Sequence, residues 1–236
     1  MRRLLTGLIK TDRATYFNME QTNLFGEPST NRANKTYRAV RHDIIRQRQS
    51  SNDNLAHHPD IKVNQINIVF KNEIMPKNCL ILELFAGRGN CTKVYEQYGK
   101  VDAYDKKYLQ TGDSFLVFHD LISKKKKYNV IDIDPYGFPN RFFPDVFLLI
   151  ENGYFFLTMP KPYVNVLNGI TQTHLISYFG TENPTYLEII ERIVLWGLCH
   201  WRKVEVLNKM ECRSIWRVAF KVTKVKATEY TGVNNR

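Results

Sequence analysis

The sequence predicts an α/β fold, a mostly parallel sheet covered by helices and preceded by a basic extension. Three observations carry this expectation. From Cys79 onward, strand-like and helix-like runs alternate, the pattern of a parallel sheet with crossover helices. Two apolar runs, at 81–85 and 130–133, end in loops of unusual chemistry, Ala86-Gly87-Arg88-Gly89-Asn90 and Asp134-Pro135-Tyr136-Gly137. Ligands of an open parallel sheet bind outside the carboxyl ends of its strands, so the two endings are expected to share one crevice. Finally, 236 residues with 43% apolar content can bury one substantial core, which fits a single domain with an extension better than two independent domains.

Residues 1–76 lack strand alternation and are rich in Arg, Asn, Gln, Thr and Ser, so they read as an N-terminal extension. Within it, 34–49 is expected to be a helix with Tyr37, Val40 and Ile44 toward the protein and Arg38, Arg41, Arg46 and Arg48 toward solvent, either a solvated basic face or a nucleic-acid-contacting one. His57-His58-Pro59 reads as a loop. The main domain is expected over 77–226, opening with a strand at 79–85, a helix at 90–98 closed by Gly99, and a strand at 101–105. The link 106–112 is too short for a crossover helix and another strand, so one element should be shrunken or irregular. A helix at 114–123 places Phe115, Phe118 and Ile122 on one stripe, and the lysine run 124–127 is a turn before a strand at 128–133. Then come a helix at 140–152, a strand at 153–159, a rigid exit at Pro160-Lys161-Pro162 and a helix at 185–200. Two antiparallel strands at 203–209 and 214–224 precede a flexible tail, 227–236.

The net charge of +11 and pI of about 9.4 make a field that attracts polyanions, so nucleic acid, RNA or DNA, is the expected partner; soluble or ribosome-associated basic proteins share this balance. Cys79, Cys91, Cys199 and Cys212 contain no C-x-x-C pair, and His119, His174 and His200 show no ligand spacing. Neither a metal site nor a disulfide framework is therefore expected, and a reducing, cytoplasmic compartment is the simpler reading. The apolar run that would make a signal peptide stops at Lys10 and Thr11, and no run approaches the roughly 20 apolar residues of a membrane span. The first ten residues are basic without acidic groups, which keeps a mitochondrial presequence as the alternative.

The first loop, Glu83-Leu84-Phe85-Ala86-Gly87-Arg88-Gly89, resembles the first motif of the class I S-adenosylmethionine methyltransferases, and the resemblance runs over approximately 79–224. It implies a Rossmann-like fold with a mostly parallel seven-stranded sheet, an antiparallel last strand, helices on both faces, and S-adenosylmethionine as cofactor. Gly87 and Gly89 allow close backbone approach to the cofactor, with Ala86 between the motif's ends and Phe85 standing where many members have the first glycine. Glu83 suits the cofactor's ammonium group. Asp105, about 20 residues on from the turn, suits the ribose hydroxyls, a spacing that NAD enzymes share. Asp113 resembles the acidic residue that meets the adenine amine, with Asp120 its rival and a plain helix N-cap its structural alternative.

The second loop resembles the fourth motif of the amino methyltransferases. Ile131-Asp132-Ile133-Asp134-Pro135-Tyr136-Gly137 is similar to the Asp-Pro-Phe/Tyr-Gly form of the tRNA guanine-N2 dimethyltransferases and, more distantly, to the adenine-N6 enzymes of DNA and RNA. An exocyclic amine conjugated to its ring is a poor nucleophile, so a site must hold its lone pair toward the methyl group while accepting its N–H bonds. Asp134 is suited to orienting or deprotonating the amine, Pro135 removes a competing donor, and Tyr136 can stack on the base. Asp132 is either a second acid or a structural hydrogen-bonding group. Gly137, Lys161 and Tyr163 complete the expected substrate side, Lys161 toward a phosphate and Tyr163 toward a base. The expected function is S-adenosylmethionine-dependent methylation of an exocyclic nucleobase amine, adenine N6 or guanine N2, by the chain alone or with a partner subunit. A protein or small-molecule N-methyltransferase and an inactive methyltransferase-like nucleic-acid-binding subunit are the alternatives.

Overall fold

The structure is a computed structural model, described here for residues 58–161, 172–212 and 215–226. The expected helix at 34–49, the tail at 227–236, and Arg38, Arg41 and Tyr163 lie outside the described residues. Six strands, β1 (Cys79–Leu84), β2 (Gly99–Tyr104), β3 (Tyr128–Ile133), β4 (Ile150–Pro160), β5 (Arg202–Glu211) and β6 (Ile215–Lys224), form one sheet in the order β2-β1-β3-β4-β6-β5. The first four are parallel, and β6 runs antiparallel to both β4 and β5. The sheet thus has the parallel body and antiparallel last strand expected, but six described strands in place of seven. Among the described residues the link after β2, 105–113, leads into a helix with no strand between.

Successive side chains of a strand alternate between faces, and here both faces are covered. On one, Leu82, Leu84, Ile131, Ile133, Phe155 and Leu157 pack against α3 (Ser114–Ser123), α4 (Val146–Leu149), α5 (Gln172–Phe179) and α6 (Tyr186–Cys199). On the other, Ile81, Val130, Tyr154, Phe156 and Ala219 meet α1 (Pro59–Asn72) and α2 (Asn90–Tyr95). Helix α1 lies within the span read from sequence as an extension, yet it places Ile66, Val69 and Phe70 in this second core. It starts on Pro59, whose missing N–H costs nothing at a helix start. Helix α6 starts with a reciprocal capping box between Thr185 and Glu188.

Two expected elements differ for local reasons. The helix expected at 140–152 is a 3₁₀ turn, Pro139–Phe142, followed by the four residues of α4 and the start of β4. Pro144 interrupts it, because proline lacks an N–H and drives the preceding residue out of helical space; Phe143 is extended at φ −102°, ψ 143°. The helix expected at 90–98 ends at Tyr95, and Gly99 opens β2 instead of capping α2. Gly99 faces Cys79 in register, where an added Cβ would stand 2.0 Å from the Cys79 carbonyl oxygen, so glycine is required by close approach. Among the described residues no helix is long and apolar enough to cross a membrane, and no group of three or more His, Cys, Asp or Glu is placed to hold a metal ion.

Candidate active site

The strand order reverses between β1 and β3, which makes the gap outside their carboxyl ends the switch point of the sheet. Both chemically unusual loops leave from here at the same level: Leu84 pairs with Ile133, and the Asp134 N–H donates to the Leu84 carbonyl at 3.4 Å. The first loop turns sharply because Phe85, Gly87 and Gly89 all lie in the left-handed region, at φ +67°, +58° and +75°. For a residue with a Cβ that conformation costs roughly 1–2 kcal/mol, so glycine is the easier choice at position 85. The Phe85 ring gives a return in packing, meeting Phe142 edge to face at 5.7 Å. Gly89 then serves as the N-cap of α2, and its N–H closes the turn on the Ala86 carbonyl at 2.9 Å.

Asp105, buried at the exit of β2, clasps this loop. Its carboxylate accepts the Gly87 N–H at 3.0 Å and the N–H groups of Lys107 and Tyr108, both at 2.7 Å. Ala86 donates to the Tyr104 carbonyl at 3.0 Å, so the glycine turn is tied to β2 at two points. The clasp is the observed role of Asp105, and it leaves lone-pair capacity on a carboxylate that can accept about four hydrogen bonds.

In front of the turn lies a cavity of about 300 Å³ lined by Phe85, Asp113, Phe115, Pro135, Tyr136 and Gly137, and further by residues of the 138–142 turn. It therefore joins residues of both loops. Asp113 caps α3, accepting the Phe115 N–H at 2.9 Å, which is its structural alternative, and it also lines the cavity. Asp120 instead faces solvent, paired with Lys124 at 2.6 Å one turn on. Arg141 stacks its guanidinium over Phe115 at 3.9 Å on the cavity rim.

On the sheet face under α1 and α2 runs a row of polar groups. Arg217 of β6 grips Asp132 with two hydrogen bonds, 3.1 and 2.6 Å, and donates to Thr158 at 2.8 Å. Tyr95 of α2 donates to the same Asp132 at 2.7 Å, so Asp132 accepts three hydrogen bonds in the core. Glu83, 4% exposed, accepts from the Thr92 hydroxyl at 2.6 Å. Burial and then the Asp132 charge push its carboxyl up to about 8, against the pull of Thr92 and Arg217. Asp134 ends the row, ion-paired through Oδ2 with Lys62 of α1. Burial alone would raise the Asp134 carboxyl, but the Lys62 and Arg217 cations and hydrogen bonds from Lys62 and Thr158 hold it below its ordinary value.

Of the residues expected from sequence, Phe85, Asp113, Pro135, Tyr136 and Gly137 meet in the cavity, while Gly87, Gly89 and Asp105 build the turn behind it. Tyr136 is 61% exposed at the mouth. Lys161 is buried with its ammonium on Glu211 at 2.5 Å, so a phosphate would have to displace that pair. Lys62 and Arg217 were not legible, since neither belongs to a motif; their roles come from a helix that precedes the sheet in the chain and from strand register.

No family model matches the chain, and no curated protein matches it. Similar solved structures include Trm1 from Pyrococcus horikoshii in complex with S-adenosyl-L-methionine, 14% identical with a TM-score of 0.48, over 74% of this chain and 56% of that one. They also include the protein-(glutamine-N5) methyltransferase of Alicyclobacillus acidocaldarius, 15% identical with a TM-score of 0.43, over 74% of this chain and 98% of that one. TYW2 of M. jannaschii in complex with AdoMet is 16% identical with a TM-score of 0.39, over 64% of this chain and 72% of that one. This chain thus spans a little over half the length of Trm1, at 56%.

Proposed function

We propose that this chain is an S-adenosylmethionine-dependent methyltransferase acting on an exocyclic amine of a nucleobase, adenine N6 or guanine N2, in RNA or DNA, in a reducing, cytoplasmic setting. The observation that carries the reading is the adjacency of the glycine turn and the Asp134-Pro135-Tyr136-Gly137 loop at the switch point of the sheet.

The residues present fit the cofactor. Glu83 is a buried carboxyl raised to about 8 beside two other acidic groups, a place that an ammonium group would neutralise. The left-handed turn at Gly87 is the conformation that brings backbone close to a ligand. The aromatic cavity with Asp113 at its edge suits a planar base carrying an amine. Bound there, the cofactor supplies an electrophilic methyl group on a sulfonium.

The chain's own work is then orientation. The Asp134 carboxylate, ionised at neutral pH and paired with Lys62 just before Pro135 and Tyr136 of the cavity wall, would accept N–H from the acceptor amine and so orient it. A carboxylate held below its ordinary value is a weak base, so it fits accepting a hydrogen bond before the N–C bond forms and taking a proton only afterwards, when the nitrogen is cationic. Pro135 offers no competing N–H, and Tyr136 presents a ring on which a base stacks. The charge of +11 favours a polyanionic substrate.

Incubation with methyl-labelled cofactor and separate pools of RNA, DNA and protein, followed by nucleoside analysis, tests the reading. Label should appear in N6-methyladenine or N2-methylguanine and vanish in Asp134→Ala, with cofactor binding retained. Label in protein alone would defeat the nucleobase assignment.

A further inference from the structure

We propose that Lys62 is the positioning residue of the transfer site, fixing the ionised Asp134 carboxylate in the orientation that receives the acceptor amine. The inference rests on the reading of Asp134 as the amine's acceptor.

Lys62 lies on the buried face of α1, 5% exposed, in line with Gln65, Ile66, Val69 and Phe70. Lysine is almost never this buried unless paired, because removing an ammonium from water costs several kcal/mol. An apolar residue would serve the packing of α1 at lower cost, as Ile66 and Val69 do further along the same face. Packing alone therefore does not account for a lysine; its ammonium is spent on Asp134 Oδ2.

The surroundings say why a dedicated cation is needed. Asp134 is faced by Lys62 from α1, Arg217 from β6, Thr158 from β4 and Glu83 from β1, with Asp132 on β3 and Cys91 on α2. Arg217 is already committed to Asp132 by two hydrogen bonds. Without Lys62, Asp132 and Asp134 would share that one guanidinium beside a protonated Glu83, and Asp134 would compete for its charge. A carboxylate that protonates there becomes a donor on one oxygen and loses the geometry required of an acceptor. Because Lys62 reaches Asp134 from α1, the orientation is set from outside the 134–137 loop, which can then present Tyr136 and Gly137 to substrate.

The test compares wild type, Lys62→Met and Lys62→Arg. Steady-state kinetics against pH are measured on whichever nucleic-acid pool the wild type methylates, and the Asp134 carboxyl is followed by carbon-13 NMR titration, assigned with Asp134→Asn. Lys62→Met is expected to lower kcat by about 10²-fold on the acid side, the scale of a misplaced catalytic group. The loss should shrink toward alkaline pH, with cofactor KM unchanged, the acid limb of the profile moved upward, and the Asp134 titration moved with it. Lys62→Arg should restore the limb. An acid limb and an Asp134 titration that stay at wild-type positions in Lys62→Met, with only a loss of thermal stability, would overturn the proposal. A wild type that methylates no nucleic acid would instead overturn the functional reading, while the NMR titration still decides whether Lys62 governs Asp134.

Discussion

Glu83 gives the sharpest quantitative expectation. Its carboxyl is raised from an ordinary 4.5 to about 8 by burial and by the neighbouring Asp132 charge. Below 4.5 the native and unfolded chains both hold the proton; between 4.5 and 8 only the native chain does. Stability therefore falls as pH rises through this window, by about 1.4 kcal/mol per pH unit and by about 5 kcal/mol in all, and is level above it. Asp134 acts in the opposite sense, contributing stability above its unfolded value and losing it in more acid solution, outside this window. Glu83→Gln keeps the shape and a partner for Thr92 while removing the titration. Urea unfolding of the cofactor-free protein between about pH 5 and pH 8 should show the variant gaining on wild type by roughly 3–4 kcal/mol across the range. With the cofactor's ammonium beside Glu83, wild type should also release close to one proton on binding near neutral pH, seen as a buffer-dependent heat, and Glu83→Gln should release none. Unfolding curves that run parallel for the two proteins would refute the placement of a protonated carboxyl at this position.

Two further expectations separate function from scaffold. Tyr136→Ala, at a position 61% exposed, should change unfolding stability by no more than about 0.5 kcal/mol while costing about 1–3 kcal/mol of base stacking, read as a rise in nucleic-acid KM. Arg217→Met strands Asp132 in the core and should cost about 3–5 kcal/mol in urea unfolding, whereas Arg217→Met with Asp132→Leu should recover most of that loss.

The strands that carry the site were legible because their apolar runs end abruptly in loops. Residues 128–133 match β3 in full, and 79–85 overshoots β1 by only Phe85, the residue that turns left-handed. The adjacency of the two loops followed from the parallel-sheet rule alone. What was hidden was hidden for physical reasons. Helix α1 has its buried positions at 62, 65, 66, 69 and 70, a regular helical stripe, but two of the five are polar. Lys62 meets Asp134 and Gln65 meets Asn208 and the Arg217 carbonyl, so the helix is least amphipathic where it touches the polar row. Pro144 sits inside an otherwise helix-like run, and its effect outweighed the apolar spacing of 140–152. Gly99 looked like a helix stop, although what demands a glycine there is the backbone of Cys79 in the next strand, a long-range contact that no local pattern records.

A crystal structure with S-adenosylhomocysteine shows whether the glycine turn and Asp134 flank one ligand site. The ligand's sulfur is expected in the crevice between the Gly87 turn and Asp134, its ammonium on Glu83 and its base in the cavity beside Asp113. A ligand seated elsewhere on the molecule, with the two loops untouched, would contradict this placement.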